Sequence, residues 1–246
     1  MRSRAQTALV TGASSGIGFG VAQGLLEKGW NIVINGRDPH KLEAAAARLG
    51  NLERIAMVPG DIGNSETGKS MTREALERFG RIDVLVNNAG IFGAKPFVEV
   101  TKDELDQYVD GNLKGTYVTT QAVVREMKAL RRGGSIVNIG TVLVGHAMAW
   151  LPDSAAIVSK GGVHALTIAL AAELASDGIR VNAVAPGSID TPLMSGADHN
   201  VLAANALLRR VGEVREITHA VLFLAEASFI TGHILNVDGG YVTGRQ

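Results

Sequence analysis

Short runs of apolar residues alternate, almost from one end of the chain to the other, with stretches whose apolar positions recur at helical spacing. The runs are Thr7–Val10, Asn31–Ile34, Arg54–Val58, Val84–Val86, Ser135–Ile139, Arg180–Ala185 and Ile234–Val237. Each is brief and apolar at consecutive rather than alternate positions, the pattern of a strand covered on both faces in a parallel sheet. Between them, Lys41–Leu49, Glu66–Phe79, Leu113–Leu130 and Val163–Ala175 carry the helical period. Such alternation predicts right-handed βαβ units, and so an α/β fold with a doubly wound parallel sheet of about seven strands flanked by helices. No Pro/Ser-rich linker, low-complexity tract or short repeat interrupts the chain, which predicts a single domain over residues 1–246. Only Thr191–Val211 breaks the rhythm; it reads either as a substrate lid or as a surface insertion.

Composition narrows the function classes. At 246 residues and 46% hydrophobic, the chain can fill one large core, which excludes wholesale disorder. Lys and Arg (24) balance Asp and Glu (24), so the basic excess of a nucleic-acid binder is absent and a small-molecule substrate is expected. With no cysteine there is no disulfide framework, thiolate zinc site or cysteine nucleophile. The histidines lack metal-ligand spacing, so no metal is expected. The basic start MRSRAQTALVTG has its apolar stretch cut by Gly12 before a signal-peptide core forms. No uninterrupted apolar run reaches the roughly 18 residues of a membrane span, so the expectation is a soluble, cytoplasmic protein with no membrane partner.

The first strand runs into Thr11-Gly12-Ala13-Ser14-Ser15-Gly16-Ile17-Gly18 and then a helix ending near Lys28-Gly29. Glycines at 12, 16 and 18 allow a sharp turn and close backbone approach to a pyrophosphate, and a helix N-terminus offers that anion free N–H groups. Such a triplet between a first strand and a helix points to a dinucleotide; alone it is also compatible with a structural turn. The second strand ends at Asn35-Gly36-Arg37-Asp38. There Gly36 leaves space and Arg37 supplies a guanidinium for the 2′-phosphate of NADP(H). Asp38 serves either a ribose, as in NAD(H) binding, or the cap of the helix that Pro39 begins. NADP(H) is favoured, with NAD(H) the alternative.

Further signals follow in order: Asp61-Ile62, Asn87-Asn88-Ala89-Gly90, Asn112 opening a long helix, Ser159-Lys160 in a later helix, and Pro186-Gly187 with Thr191. With these motifs the chain resembles the short-chain dehydrogenase/reductase family from Thr7 to about Tyr241, and the resemblance implies a Rossmann-type sheet. It implies that Gly12, Ser14, Gly16, Ile17 and Gly18 hold the pyrophosphate side of the cofactor and that Asp61 and Ile62 lie near adenine. Asn87, Ala89 and Gly90 are implied to line the cleft, and Lys160 to bind the nicotinamide ribose. Pro186, Gly187, Ile189 and Thr191 are implied to flank the nicotinamide. Structural uses compete at several positions, strand-end hydrogen bonding for Asn87 and Asn88 and a loop hydroxyl for Thr191 among them.

The resemblance also exposes a departure. Carbonyl-reducing members use an Asn, a Ser, and a Tyr four residues before the Lys, a spacing that puts both side chains on one helix face. Here Asn112 and Lys160 stand, Thr141 fills the serine slot, and Ala156 stands in the tyrosine slot. A positioned general acid contributes on the order of 10²–10⁴ in rate, and a methyl group supplies none of it. His146 and Asp153 flank the expected substrate mouth, as substitute donors or as loop residues. Met148, Trp150 and Leu151 form either an apolar wall or loop packing, and Tyr117 reads as core or interface.

The leading expectation is an NADP(H)-dependent ketone/alcohol oxidoreductase of altered active site. Alternatives are a reductase of imines or conjugated C=C bonds, which need no tyrosine acid, and a silent NADP(H)-binding pseudoenzyme. The small, apolar Val163–Ala175 helix is buried or half of a two-fold interface; the resemblance implies a homodimer or homotetramer.

Overall fold

The structure, a computed structural model, describes residues 5–244. Its sheet holds β1 (Thr7–Val10), β2 (Asn31–Gly36), β3 (Ile55–Pro59), β4 (Val84–Asn87), β5 (Gly134–Ile139), β6 (Ile179–Pro186) and β7 (Ile234–Val237). All seven are parallel, in the order β3-β2-β1-β4-β5-β6-β7. The chain therefore winds outward from β1 to one edge, returns to the centre, and winds to the other. Its direction reverses between β1 and β4, where doubly wound sheets open a crevice beyond the strand ends.

The helices are α1 (Gly16–Glu27), α2 (Pro39–Leu49), α3 (Ser65–Phe79), α4 (Lys102–Tyr108), α5 (Gly115–Leu130), α6 (Ser154–Leu174), α7 (His199–Ala204) and α8 (Val214–Glu226). Strand alternation sorts the core into two layers. Ala8 and Val10 of β1 face the cluster built with α1, α2 and α8, while Leu9 faces the cluster of α3, α5 and α6. β1, β2, β4, β5 and β6 are buried on both faces, as their unbroken apolar runs predict. The edge strands β3 and β7 are not, since each lacks a neighbour on one side: Met57 of β3 is exposed, and β7 has no fully buried residue.

Two helical features differ from the expected pattern. Asn112 does not open a long helix; it lies in a π-helical turn, Val109–Lys114, that joins α4 to α5. The Thr116 hydroxyl donates to the Asn112 carbonyl at 2.7 Å. A widened turn of this kind re-aims one side chain, here Asn112, which is fully buried. The other is the length of α6, which starts at Ser154 rather than at Val163, where the apolar period begins, and carries Ala156 and Lys160 on one helix as their four-residue spacing implies. By length and composition alone Ser154–Asp177 would cross a membrane, but this helix packs along β6 and presents Lys160 to a cavity.

A polar chain lies buried under the sheet beside α5 and α6. Asn87 Nδ2 donates to Thr120 Oγ1 and to Asn138 Oδ1, each at 2.8 Å, and Asn138 Nδ2 donates to Thr167 Oγ1 at 2.9 Å. Removing its centre strands buried partners, at about 1–3 kcal/mol each. Asn138→Ala is thus expected to lower the urea unfolding free energy by about 2 kcal/mol or more; a loss under about 0.5 kcal/mol would contradict the network's role.

Candidate active site

The crevice at the sheet reversal is a cavity of about 770 Å³, within the range of small-molecule and cofactor sites. Its floor is made by the turns after β1 and β4. Thr11 Oγ1 accepts from the N–H groups of Asn88 and Ala89 at 2.9 and 3.0 Å, while Asn88 Nδ2 donates to the carbonyls of Thr11 and Gly12. Gly12 has φ +63°, and a Cβ there would lie 2.8 Å from Ala89 Cα, so the turn admits only glycine. Gly18 is excluded from larger residues by the Gly12 carbonyl, 2.4 Å from where its Cβ would be.

This packing leaves the N-terminus of α1 open to the cavity. Ser15, its N-cap, makes no side-chain capping bond. Gly12, Ser14, Gly16 and Ile17 line the cavity, whereas Gly18 lies behind them as a packing residue. Uncapped amides on a glycine turn, beside a cavity of this size, fit the pyrophosphate of a dinucleotide.

At one end, Arg37 and Lys41 both line the cavity. Sequence reading identified Arg37 and missed Lys41, which helical spacing places one turn along α2. The Asp38 carboxylate accepts from His40 N and Lys41 N at 3.0 and 3.2 Å, so it caps α2. Gly36 does not leave free space as expected: the Ser14 hydroxyl fills it, 2.2 Å from a Cβ position. Asp61 and Ile62 line the same end, with Asp61 Oδ1 accepting from Gly63 N at 2.8 Å.

At the other end lie Ala89, Gly90, Thr141, Ala156, Lys160, Pro186, Gly187, Ile189 and Thr191. Lys160 Nζ donates to the Ile139 carbonyl at the tip of β5, 2.7 Å away. Burial pushes its ammonium down to about 8. Burial, and then the Lys160 charge, hold the His164 imidazole one turn further along α6 below its ordinary value. Thr141 Oγ1 accepts from Leu143 N at 3.3 Å, capping a short 3₁₀ turn.

Two expected lining residues stand elsewhere. Asn87 does not reach the cleft, because its side chain enters the buried network beneath the sheet; Asn88, the next residue, lines the cleft instead. Asn112 stands behind the cavity wall as a brace. Its Oδ1 accepts from Ile91 N at 2.7 Å, and its Nδ2 donates to the Ile91 carbonyl and to Ser159 Oγ at 3.0 and 2.9 Å.

Met148, Trp150, Leu151 and Asp153 all line this end, as does Tyr241, whose ring stands edge-on to His146 with centroids 5.2 Å apart. Tyr117 is half exposed on α5, away from the core. The segment 191–211 leaves through a neck in which Asp190 N bonds the Gly212 carbonyl and Gly212 N the Ser188 carbonyl, each at 2.9 Å. It contains α7, and Leu193, Met194 and Leu202 from it wall the cavity.

Comparisons with known proteins find relatives along nearly the whole chain. A family model described as enoyl-(acyl carrier protein) reductase matches residues 12–242. The 3-oxoacyl-[acyl-carrier-protein] reductase FabG of Staphylococcus epidermidis is 36% identical over 243 residues, covering 96% of this chain and 98% of that one. A solved structure titled short chain dehydrogenase/reductase family protein superposes with TM-score 0.88 at 37% identity, over 99% of this chain and 100% of that one. ElxO with NADP bound superposes with TM-score 0.90 at 29% identity, over 98% and 100%.

The buried Lys160 gives a stability signature. Its pKa falls from 10.5 to about 8 on folding, so between those values the unfolded chain binds more protons and stability rises with pH. Below about 8 the desolvation cost of the cation is fully present. In urea unfolding, the stability of Lys160→Met relative to the unsubstituted protein should therefore fall by about 1–3 kcal/mol as pH rises from 7.5 to 10.5. A difference independent of pH would contradict the burial of the charge.

Proposed function

The chain belongs to the short-chain dehydrogenase/reductase family and is an oxidoreductase of that type, and from there we propose that it reduces a small ketone, or oxidises the corresponding alcohol, with NADP(H). One observation carries this reading: a single cavity joins the open N-terminus of α1, the Arg37–Lys41 cations and the buried Lys160 amine. When bound, NADP(H) supplies or accepts the hydride. The chain's own residues bind, orient and manage the proton.

Gly12, Ser14, Gly16, Ile17 and the α1 amides take the pyrophosphate, with Gly18 holding the turn closed. Arg37 and Lys41 take the 2′-phosphate; Asp38, engaged as a cap, leaves that end cationic. Asp61 and Ile62 border adenine, and Ala89, Gly90, Pro186, Gly187, Ile189 and Thr191 border the nicotinamide end. Lys160, held by the Ile139 carbonyl, orients the nicotinamide ribose and places a positive charge near an oxygen that becomes negative in the transition state. Thr141 offers a hydroxyl to that oxygen, and Asn87 and Asn112 brace the walls from behind. Met148, Trp150, Leu151 and the 191–211 lid present a mostly apolar face, suited to a small apolar carbonyl compound. The name of the staphylococcal relative adds a 3-oxoacyl thioester to the candidates.

Ala156 on the cavity wall supports a second reading. A protonated imine leaves no alkoxide after reduction, and a conjugated C=C bond needs its proton elsewhere, so neither requires a phenol at this position. The description of the matching family model, an enoyl reductase, points the same way. A silent cofactor-binding role is the weakest of the three, since relatives across the whole chain are named as oxidoreductases. For assembly, the exposed Val158 and Ile168 on α6 support a homodimer or homotetramer through that helix.

NADPH oxidation against ketones, a 3-oxoacyl thioester, cyclic imines and enones separates the readings. Turnover of ketones and its loss in Lys160→Ala is expected; turnover of imines or enones alone would give the second reading. Arg37→Ala should weaken NADPH about tenfold or more while leaving NADH nearly unchanged. Equal effects on both cofactors would contradict the phosphate assignment.

A further inference from the structure

The substrate end of the cavity holds a carboxyl group that no structural role accounts for. Asp153 is the N-cap residue of α6, a position where aspartate ordinarily accepts hydrogen bonds from the first helical amides. Here it makes no side-chain capping bond, with backbone angles of φ −128° and ψ 33°. Only 4% of the residue is exposed, and its Oδ2 atom is buried with no hydrogen-bond partner among the described residues. No cation forms an ion pair with it among the described salt bridges. A buried carboxylate with one oxygen unpartnered is costly, whereas a neutral carboxyl in the same place is much less so.

Its placement is as specific as its burial. Asp153, Ala156 and Lys160 stand at positions i, i+3 and i+7, which share one helix face, and all three line the cavity. Asp153 is thus one helical turn, about 4.5 Å of rise, from the residue that occupies the tyrosine slot. Tyr108 on α4 interacts electrostatically with Asp153, and Lys95 N on the preceding loop donates to the Pro152 carbonyl at 2.6 Å. Lys160 and Tyr241, the latter against His146, line the same cavity. Lys95 is engaged by both carboxylate oxygens of Glu104 at 2.8 Å, which leaves it committed to α4. The Tyr108 phenol is held above its ordinary value by burial and then by the negative charges of Glu104 and Asp153.

We infer that Asp153 is the proton donor of this site, a neutral carboxyl that takes over the work of the phenol that Ala156 lacks. The inference rests on the ketone reading given above. In that reaction the reduced nicotinamide supplies two electrons and one hydrogen to the carbonyl carbon, and the carbonyl oxygen requires one proton. The Asp153 O–H bond breaks, the O–H bond of the alcohol forms, and the carboxylate left behind regains its proton from water entering the cavity. Desolvation raises the Asp153 carboxyl above its ordinary value, against a smaller lowering by the hydrogen bond from its own backbone N–H, and so favours the protonated form. This is the pattern by which other buried carboxylic acids donate hydrogen bonds or protons.

The test uses the full chain and two independent readouts. The first is stability against pH, measured without cofactor or substrate. A raised native pKa means that the folded state binds more protons above about pH 4, so stability falls as pH rises through the Asp153 titration. Asp153→Asn removes that loss. Its stability relative to the unsubstituted protein should increase from pH 4 upward and then level off; a constant or shrinking difference would overturn the neutral carboxyl. The second readout is ketone reduction with NADPH. Asp153→Asn should lower kcat by about 10²-fold or more with little change in the NADPH dissociation constant. It should also lose the fall in rate that the unsubstituted protein shows as pH rises through the Asp153 titration. Formate should restore part of the activity of Asp153→Ala, which covers the case of a poorly folded Asn variant.

An Asp153→Asn protein with full ketone turnover and an unchanged pH profile would overturn the inference and leave the ketone reading standing. A loss confined to Tyr241→Phe would do the same and move the donor to that residue. If the unsubstituted protein reduces imines or enones but no ketone, the ketone reading itself falls, and with it the need for this donor.

Discussion

The close approach of the turns after β1 and β4 is the constraint on which the rest depends. The two turns are fastened by Thr11 and Asn88, each bonding the other's backbone, and the fit admits no Cβ at Gly12. Because these strands are neighbours at the reversal of winding, the fastening closes the gap between their C-terminal ends and leaves the cavity open above it. It also sets the angle at which α1 leaves its turn, so that uncapped helix amides face the cavity. Lys160 reaches the same floor from α6, anchored on the carbonyl that ends β5. The cavity, and with it the proposed dinucleotide and reactive sites, therefore follows from one piece of backbone packing.

The site is electrostatically unfavourable in the folded chain. It buries a lysine that resists protonation beside a histidine held neutral, with an aspartate that resists ionisation on the same helix. No salt bridge joins Lys160 to Asp153 among the described residues, although a buried pair would relieve both. Groups held away from their preferred protonation states cluster where proton traffic is needed, and the surrounding structure offsets the cost. Here that offset comes from two apolar layers and from the Asn87–Asn138–Thr167 network, which lies under the same strand ends that carry the site.

The sheet, its winding and the glycine turn were legible in the sequence because each rests on a local pattern. Strands buried on both faces read as unbroken apolar runs, and a turn of positive φ needs glycine. What escaped depends on contacts between distant segments. The π-helical turn around Asn112 adds width to a helix without changing its residue types, so periodicity passes over it. Asn87 and Asn88 are identical in type, and only the strand's pleat decides which enters the buried network and which faces the cavity. The space at Gly36 is taken by Ser14, a residue more than 20 positions away, and Lys41 joins Arg37 only once α2 is in place. Asp153 reads in sequence as either a substitute donor or a loop residue at the substrate mouth; its missing capping bonds and its burial appear only in three dimensions.

The most direct measurement is a crystal structure of the chain grown with NADP⁺. The account predicts the pyrophosphate on the amides that open α1, the 2′-phosphate between Arg37 and Lys41, and the nicotinamide ribose at Lys160, with the open space beyond it bounded by Ala156 and Asp153. A dinucleotide bound elsewhere, or one in this cavity with its 2′-phosphate turned away from both cations, would contradict it.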